Sequence, residues 1–427
     1  MTQSAREVTV FAGMVAALVL SSSLVSVYPD TTALHHQVQA GTLLQSHGVV
    51  ATCDVCNSEV VTVAQGSTTP LATVVPVGYS AAELAAAYHL PAASAGTAGT
   101  VALIDGGGYP GFESDLATYR SQFGLPPCKV ADGCLKVVDY KGGPPLHPDG
   151  TDQEKELSLE TALDAEMISA ACPACKIVLV QAPAEDFYLS ALHPSSAAVP
   201  SIAKAVDTAI RSGASAVSMS FGYPSTKDIN TGAVSAVFSH PGIAFVASSG
   251  DSGYHGNVHG YWPQNLPTVI SAGGTALYQT SDGFVSNAWN QAGSACETDL
   301  PPAHGQPSAV AALCSGHRAS SDVSAVSDPA TGVAVYDSYG IGGWYIAGGT
   351  SAAAPFIAAL YARAGHTSRV DGPNTLYTAP DGAFTDVSLG QNGAAHSCQT
   401  IAPQLCVAGK GWDGPTGVGT PNGLAGF

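Results

Sequence analysis

In "GGTSAAAP" (348–355), Ser351 follows two glycines and a threonine and precedes a run of small residues, a proline and the apolar "FIAALYARAG". A hydroxyl in the first turn of a buried helix sits at the positive end of the helix dipole, which favours developing negative charge. The upstream glycines let another backbone approach closely. These features suit a serine nucleophile. Thr and Ser are equally good helix N-caps, so spacing alone leaves both readings open. A serine nucleophile needs a base. The chain has 13 histidines, and none opens a helix in a setting that fits the task. His147 in "LHPDGTDQE" comes nearest, but a Pro and an Asp separate it from the Gly-Thr. Glu160 and Asp164 of "ETALD" are four residues apart and share one helical face. Leu159, Leu163 and Met167 form the neighbouring apolar stripe, so the pair borders the buried side, while Glu154, Glu156 and Glu166 read as a solvated acidic face. Asp105 closes "VALID" ahead of three glycines. Asp251 in "SSGDSG" follows a buried strand, at the kind of edge where α/β sheets bind ligands. An ordinary turn aspartate is the alternative there. A carboxylate of pKa about 4 is a weak base for serine at neutral pH, but its conjugate acid forms readily in acid. An Asp donates to an oxyanion only when protonated. Both demands point to acid.

The elements that must position these groups alternate. Strands are expected at 100–108, 134–140, 176–182, 216–222, 242–253 and 268–275, and helices at 80–90, 112–124, 154–171, 201–213 and after Ser351. Short β-rich apolar runs between helices give an α/β fold, a mostly parallel sheet with helices on both faces. Residues 283–345 read as more loop-like, and the chain from 382 as Gly-rich turns.

Of 427 residues, 45% are hydrophobic and 11% charged, which permits a large core and argues against disorder. With 32 acidic against 14 basic residues, the net charge of −18 argues against nucleic acid and anionic membranes as partners. The N-terminus has one Arg, then an apolar run from Val8 to about Leu20, as in a secretory signal peptide; an uncleaved anchor is the alternative. "VQA" (38–40) is a candidate cleavage site. The ten cysteines fall in five close pairs, Cys53/Cys56, Cys128/Cys134, Cys172/Cys175, Cys296/Cys314 and Cys398/Cys406, which read as local disulfides. A zinc site built from the two CxxC pairs is the rival.

Several motifs, in order, resemble the sedolisins, or serine-carboxyl peptidases, in which a glutamate replaces the histidine of a subtilisin-like fold. These are "FGLPPC" (123–128), "ETALD" (160–164), "SMSFG" (218–222), "SSGDSG" (248–253), "SDVSAVSDPATGVAVY" (321–336) and "GGTSAAAP". The resemblance spans residues 79–427. It implies Ser351 as nucleophile, Glu160 as general base and acid, Asp164 orienting Glu160, and Asp251 assisting the Ser351 amide at the oxyanion. It also implies Ser220, Phe221 and Gly222 as a substrate-binding strand. "FTDVSLG" and "AGKGWDG" match the family's calcium loop. This implies one structural Ca²⁺ held by the side chains of Asp386 and Asp413 and the carbonyls of Val387, Gly409 and Gly411. The family usually carries a long folded pro-domain, for which residues 41–78 are too few.

The expected organisation is a signal peptide or anchor (1–40), a short linker or pro-segment (41–78) and a sedolisin-like peptidase domain (79–427) with a C-terminal calcium-binding loop region. The expected activity is a secreted, acid-acting endopeptidase or tripeptidyl-peptidase. Its partners would be peptide or protein substrates, with no nucleic acid, no membrane after signal removal, and a monomeric state. Two alternatives stand beside it: a subtilisin-like peptidase using Asp105 and a histidine, and an inactive relative kept as a binding protein.

Overall fold

The structure is a computed structural model. It describes residues 49–51, 56–62, 65, 67–92, 99–192, 199–255, 260–393, 398 and 402–427. The expected leader, the "VQA" site and Cys53 lie outside these residues.

The strands that matter here, in chain order, are β1 (Val49–Ala51), β2 (Glu59–Val61), β3 (Thr100–Gly106), β4 (Leu135–Asp139), β5 (Lys176–Ala182), β6 (Ala216–Met219), β7 (Ala244–Ser248), β8 (Ile270–Thr280), β9 (Gly283–Ala288), β10 (Val323–Val326), β11 (Val333–Asp337) and β12 (Gly343–Gly348). The helices are α1 (Ala81–Ala87), α2 (Phe112–Gln122), α3 (Asp152–Ala171), α4 (Pro200–Arg211) and α5 (Thr350–Ala364). The central sheet runs β4-β5-β3-β6-β7-β8, with β10 and β9 both paired to β8. All its pairings are parallel except the β8–β9 hairpin.

Alternation along β3 explains the two covered faces. Val101 and Leu103 join one core with α1, α2, α3 and α5; Ala102 and Ile104 join the other with Ile202, Val206 and Ala209 of α4. The α/β expectation, a mostly parallel sheet with helices on both faces, holds. Residues 283–345 hold more strand than expected, because β9 to β12 are short and their alternation is hidden among glycines and prolines. A second, antiparallel sheet runs β1-β2-β12-β11 and places β1 and β2 beside β12, the strand that leads into α5.

Four expected disulfides are present: Cys128–Cys134, Cys172–Cys175, Cys296–Cys314 and Cys398–Cys406. The Cys172–Cys175 bond overturns the zinc alternative, since a zinc ligand must be a free thiolate. Cys56 is also disulfide-bonded. Among the described residues no helix is long and apolar enough to cross a membrane.

Candidate active site

α3 and α5 pack directly against each other on one face of the sheet. α3 opens with Thr151, whose side chain accepts from the Glu154 amide, and is buried almost continuously from Leu157 to Ala171. Glu160 and Asp164 are therefore interior, 3% and 0% exposed. The solvated acidic face is corrected at two positions. Glu154 is buried and accepts from the amides of Gly108, Asp149 and Gly150, and Glu166 is buried and accepts from the Tyr336 amide. Only Glu156 of the three is exposed. Helical spacing could not foresee this, because β11 and the loop after β3 cover those turns.

α5 begins behind Gly349, at φ 90°, a conformation that favours glycine. A side chain there would collide with the Asn57 carbonyl oxygen, Ser58 Cα and Asp251 Oδ2. Ser351 is fully buried in the first turn. Pro355 lies in the second turn of α5. Lacking an N–H, it leaves the Ser351 carbonyl without its helical partner. That carbonyl accepts from Ser220 Oγ at 3.4 Å instead.

Ser220 ties the site together. Its hydroxyl also reaches Asp164 Oδ1 at 2.6 Å, and its carbonyl accepts from Ser351 Oγ at 3.3 Å. Asp105, at the end of β3, is buried, bonded to the Thr161 side chain and electrostatically coupled to Asp164. Burial first, then the charges of Asp105 and Glu160, push the Asp164 carboxyl well above its ordinary range. Burial raises Asp105 to about 7. Among the described residues Asp105 Oδ2, Asp164 Oδ2 and Asp251 Oδ2 have no hydrogen-bond partner. The cluster thus holds protons more readily than free carboxylates do.

Asp251 follows β7. Its Oδ1 accepts from the Thr350 amide and hydroxyl, both at 2.8 Å, so it caps α5. Burial, opposed by the Thr350 amide and reinforced by Glu59 and Glu160, raises its pKa well above the usual value.

The sequence reading missed residues 56–61. Cys56 bridges Phe221 in antiparallel fashion, and the Asn57 amide donates to the Ser220 carbonyl at 3.3 Å. The Asn57 carbonyl accepts from the Ser351 amide at 2.8 Å, and the Ser58 hydroxyl donates to Glu160 Oε2. Nothing local in "CNSEVV" signals this beyond a short β-branched run.

The calcium expectation has a partial geometric counterpart. Asp386 accepts from the Gly411 amide, and Asp413 from the Gly409 amide and from Thr416. The two carboxylates thus come together, while the carbonyls of Val387, Gly409 and Gly411 accept no hydrogen bond among the described residues. Two carboxylates and three open carbonyls fit a hard cation. No cluster of three or more His, Cys, Asp or Glu side chains suited to a metal occurs among the described residues.

Residues 164–369, from Asp164 to beyond α5, match the subtilase family. The chain is 30% identical over 381 residues to kumamolisin of Bacillus sp. (strain MN-32), covering 82% of this chain. It is 32% identical over 206 residues to sedolisin of Pseudomonas sp. (strain 101), covering 42% of this chain. It spans 63% of the length of kumamolisin and 33% of that of sedolisin. The fold superposes on a solved Pseudomonas sedolisin, a serine-carboxyl proteinase complexed with pseudo-iodotyrostatin, with a TM-score of 0.61 at 23% identity, over 82% of this chain and 96% of that one. With a parallel sheet carrying a buried serine helix beside an acidic helix, and with these relatives, the chain belongs to the sedolisin family.

Proposed function

We propose that this chain is an acid-acting serine-carboxyl peptidase that hydrolyses peptide bonds through an acyl-enzyme on Ser351. One observation carries the proposal: Ser220 joins the nucleophile to the acid pair, accepting from Ser351 Oγ with its carbonyl while its hydroxyl holds Asp164. In this reading Ser351 Oγ turns from the Ser220 carbonyl to attack, and Glu160 takes its proton and later gives it to the leaving amine. Asp164, held by Ser220, keeps Glu160 in place. The Ser351 amide and a protonated Asp251 receive the oxyanion, and the raised pKa of Asp251 supports that donor role. Ser220, Phe221 and Gly222 pair with the substrate backbone.

We assign one structural Ca²⁺ to Asp386, Val387, Gly409, Gly411 and Asp413, where it would neutralise the two carboxylates and close the C-terminal loops. Export as a secreted enzyme follows from the apolar leader and the disulfides. Peptides or proteins are the substrates.

The test is mutational. Ser351→Ala and Glu160→Gln should each nearly abolish cleavage of a peptide mixture in mild acid with the fold intact, while Asp105→Asn should lose much less. An active Glu160→Gln beside a dead, folded Asp105→Asn would favour a Ser/His/Asp mechanism instead.

A further inference from the structure

Two glycines flank the nucleophile and face the same side chain. Gly222 ends the Ser220-Phe221-Gly222 run, whose first member accepts from Ser351 Oγ. Gly250 donates its amide to Thr350 Oγ1 at 3.0 Å, next to Ser351. A Cβ on Gly222 would stand 3.0 Å from Tyr261 Cβ and 2.9 Å from Gln264 Nε2. A Cβ on Gly250 would stand 3.5 Å from Tyr261 Cδ2 and 3.9 Å from His255 Nε2. Tyr261 thus lies under both backbones, and neither glycine puts a side chain over it. This floor is fixed from below. Tyr223 and Pro224 pair antiparallel with Trp262 and Tyr261, and the Gly260 amide donates to both Glu297 oxygens at 3.0 and 3.1 Å. The His255 ring stands edge-on to the Tyr261 ring, with centroids 5.0 Å apart.

The polar atoms around this floor are left over. Gln264 is 3% exposed, and neither its Nε2 nor its Oε1 has a hydrogen-bond partner among the described residues. Ser249 Oγ and His255 Nε2 are buried and unpartnered there as well. Buried polar groups are paired as a rule, because an unpaired one keeps its full desolvation cost. Two orphaned atoms on one carboxamide, beside the run that would hold a substrate backbone, call for a ligand that supplies a donor and an acceptor together.

We propose that Tyr261, His255 and Gln264 form the subsite for the side chain ahead of the cut bond, and that Gln264 makes it select a carboxamide, so that the preferred substrates carry Gln or Asn there. This rests on the peptidase reading above and names its substrate class. A carboxamide can face that of Gln264 through two opposed hydrogen bonds, its NH₂ donating to Oε1 and its oxygen accepting from Nε2. Leu, Met or Phe would bury both atoms without partners, and a site built to bond a polar group rejects an analogue that lacks it. A carboxylate only accepts, so it satisfies Nε2 and confronts Oε1. Cationic help for an anion is weak. Arg318 reaches the Gln264 carbonyl but is already held by both oxygens of Asp322, and burial lowers the His255 pKa, which keeps that ring neutral further into acid.

The test uses the full chain and a peptide set that differs only in the residue ahead of one bond: Gln, Asn, Glu, Met, Leu or Lys. Mass spectrometry fixes the bond cut, and kcat/KM is read for each peptide at a pH about one unit above the ordinary Glu value, where a Glu side chain is mostly ionised. The Gln or Asn peptide should exceed the Met, Leu, Glu and Lys peptides by roughly 10- to 100-fold, the product of two neutral hydrogen bonds at about 3- to 10-fold each. Gln264→Met should bring the Gln-to-Met ratio to within about threefold of unity, lowering the Gln peptide and raising the Met one. A merely structural role would lower all six alike and leave the ratio where it was. A native enzyme that cuts the Met, Leu, Glu or Lys peptide best overturns the proposal, as does a Gln264→Met variant that keeps the native ratio; either result leaves the peptidase reading standing. The native profile decides the matter even if Gln264→Met does not fold. If the folded native chain cuts none of the six, nor a general peptide mixture, the peptidase reading itself fails and this one with it.

Discussion

Removing the carboxyl of Asp251 tests the oxyanion assignment most directly. Oδ1 accepts from the Thr350 amide and hydroxyl at 2.8 Å, and Oδ2 has no partner among the described residues. Asp251→Ala should therefore have two separable effects. It strips the Thr350 amide of its acceptor at a buried helix start, which costs about 1–3 kcal/mol of stability. It also removes one oxyanion donor, which lowers kcat by roughly 10²–10³-fold, or about 2.7–4 kcal/mol. Asp251→Asn keeps an acceptor oxygen for Thr350 and gains an amide donor that never ionises, so it should recover most of both losses. The pH profile separates it further. Burial, with Glu59 and Glu160 nearby, keeps the native carboxyl protonated well above its usual range. As pH rises through that pKa the native enzyme should lose its donor, and an ionised carboxylate would repel the oxyanion. The Asn variant should keep a larger share of its activity on that alkaline side. The assay is kcat/KM against pH for the native, Ala and Asn forms, with melting temperatures taken in parallel. Equal kcat for all three across the acid range would refute the reasoning and leave Asp251 as a helix cap. If Ala lost stability but no kcat, the same conclusion would follow.

Two further predictions concern stability. Chelation with EDTA should lower the melting temperature while leaving low-temperature cleavage nearly unchanged, since a ligand held at 100 times its Kd stabilises by about 2.7 kcal/mol; an unchanged melting temperature at neutral pH would count against the Asp386–Asp413 site. Burial, with Asp115 and Asp337 nearby, raises Glu166 well above 4.5, so its contribution to stability is fully present below that pH and is lost as pH rises through the folded-state pKa. Glu166→Gln keeps an acceptor for the Tyr336 amide, so its melting temperature should fall less than the native one between acid and neutral pH, and parallel profiles would contradict this.

How much was legible in the sequence follows from what kind of information each feature carries. Short-range order carried the alternation of strands and helices. The glycines before Ser351 and the i,i+4 spacing of Glu160 and Asp164 likewise depend on neighbours within one turn or one strand. The cysteine pairs also read correctly where described, because bridges between close positions need little help from the rest of the fold. Burial of an individual acid was not legible. Glu154 and Glu166 share a helix with exposed Glu156, and only β11 and the loop after β3 decide which turns are covered.

The sequence by itself determined the α/β class, the serine helix and the acid pair, because periodicity and backbone stereochemistry act locally. Only the tertiary structure decided that Ser220 links Ser351 to Asp164, that Asp105 lies close enough to Asp164 to raise its pKa, and that Asn57 and Ser58 contact Ser351 and Glu160. Those contacts join residues more than fifty positions apart, and they exist because parallel strands bring distant segments to one sheet edge, where α3 and α5 meet.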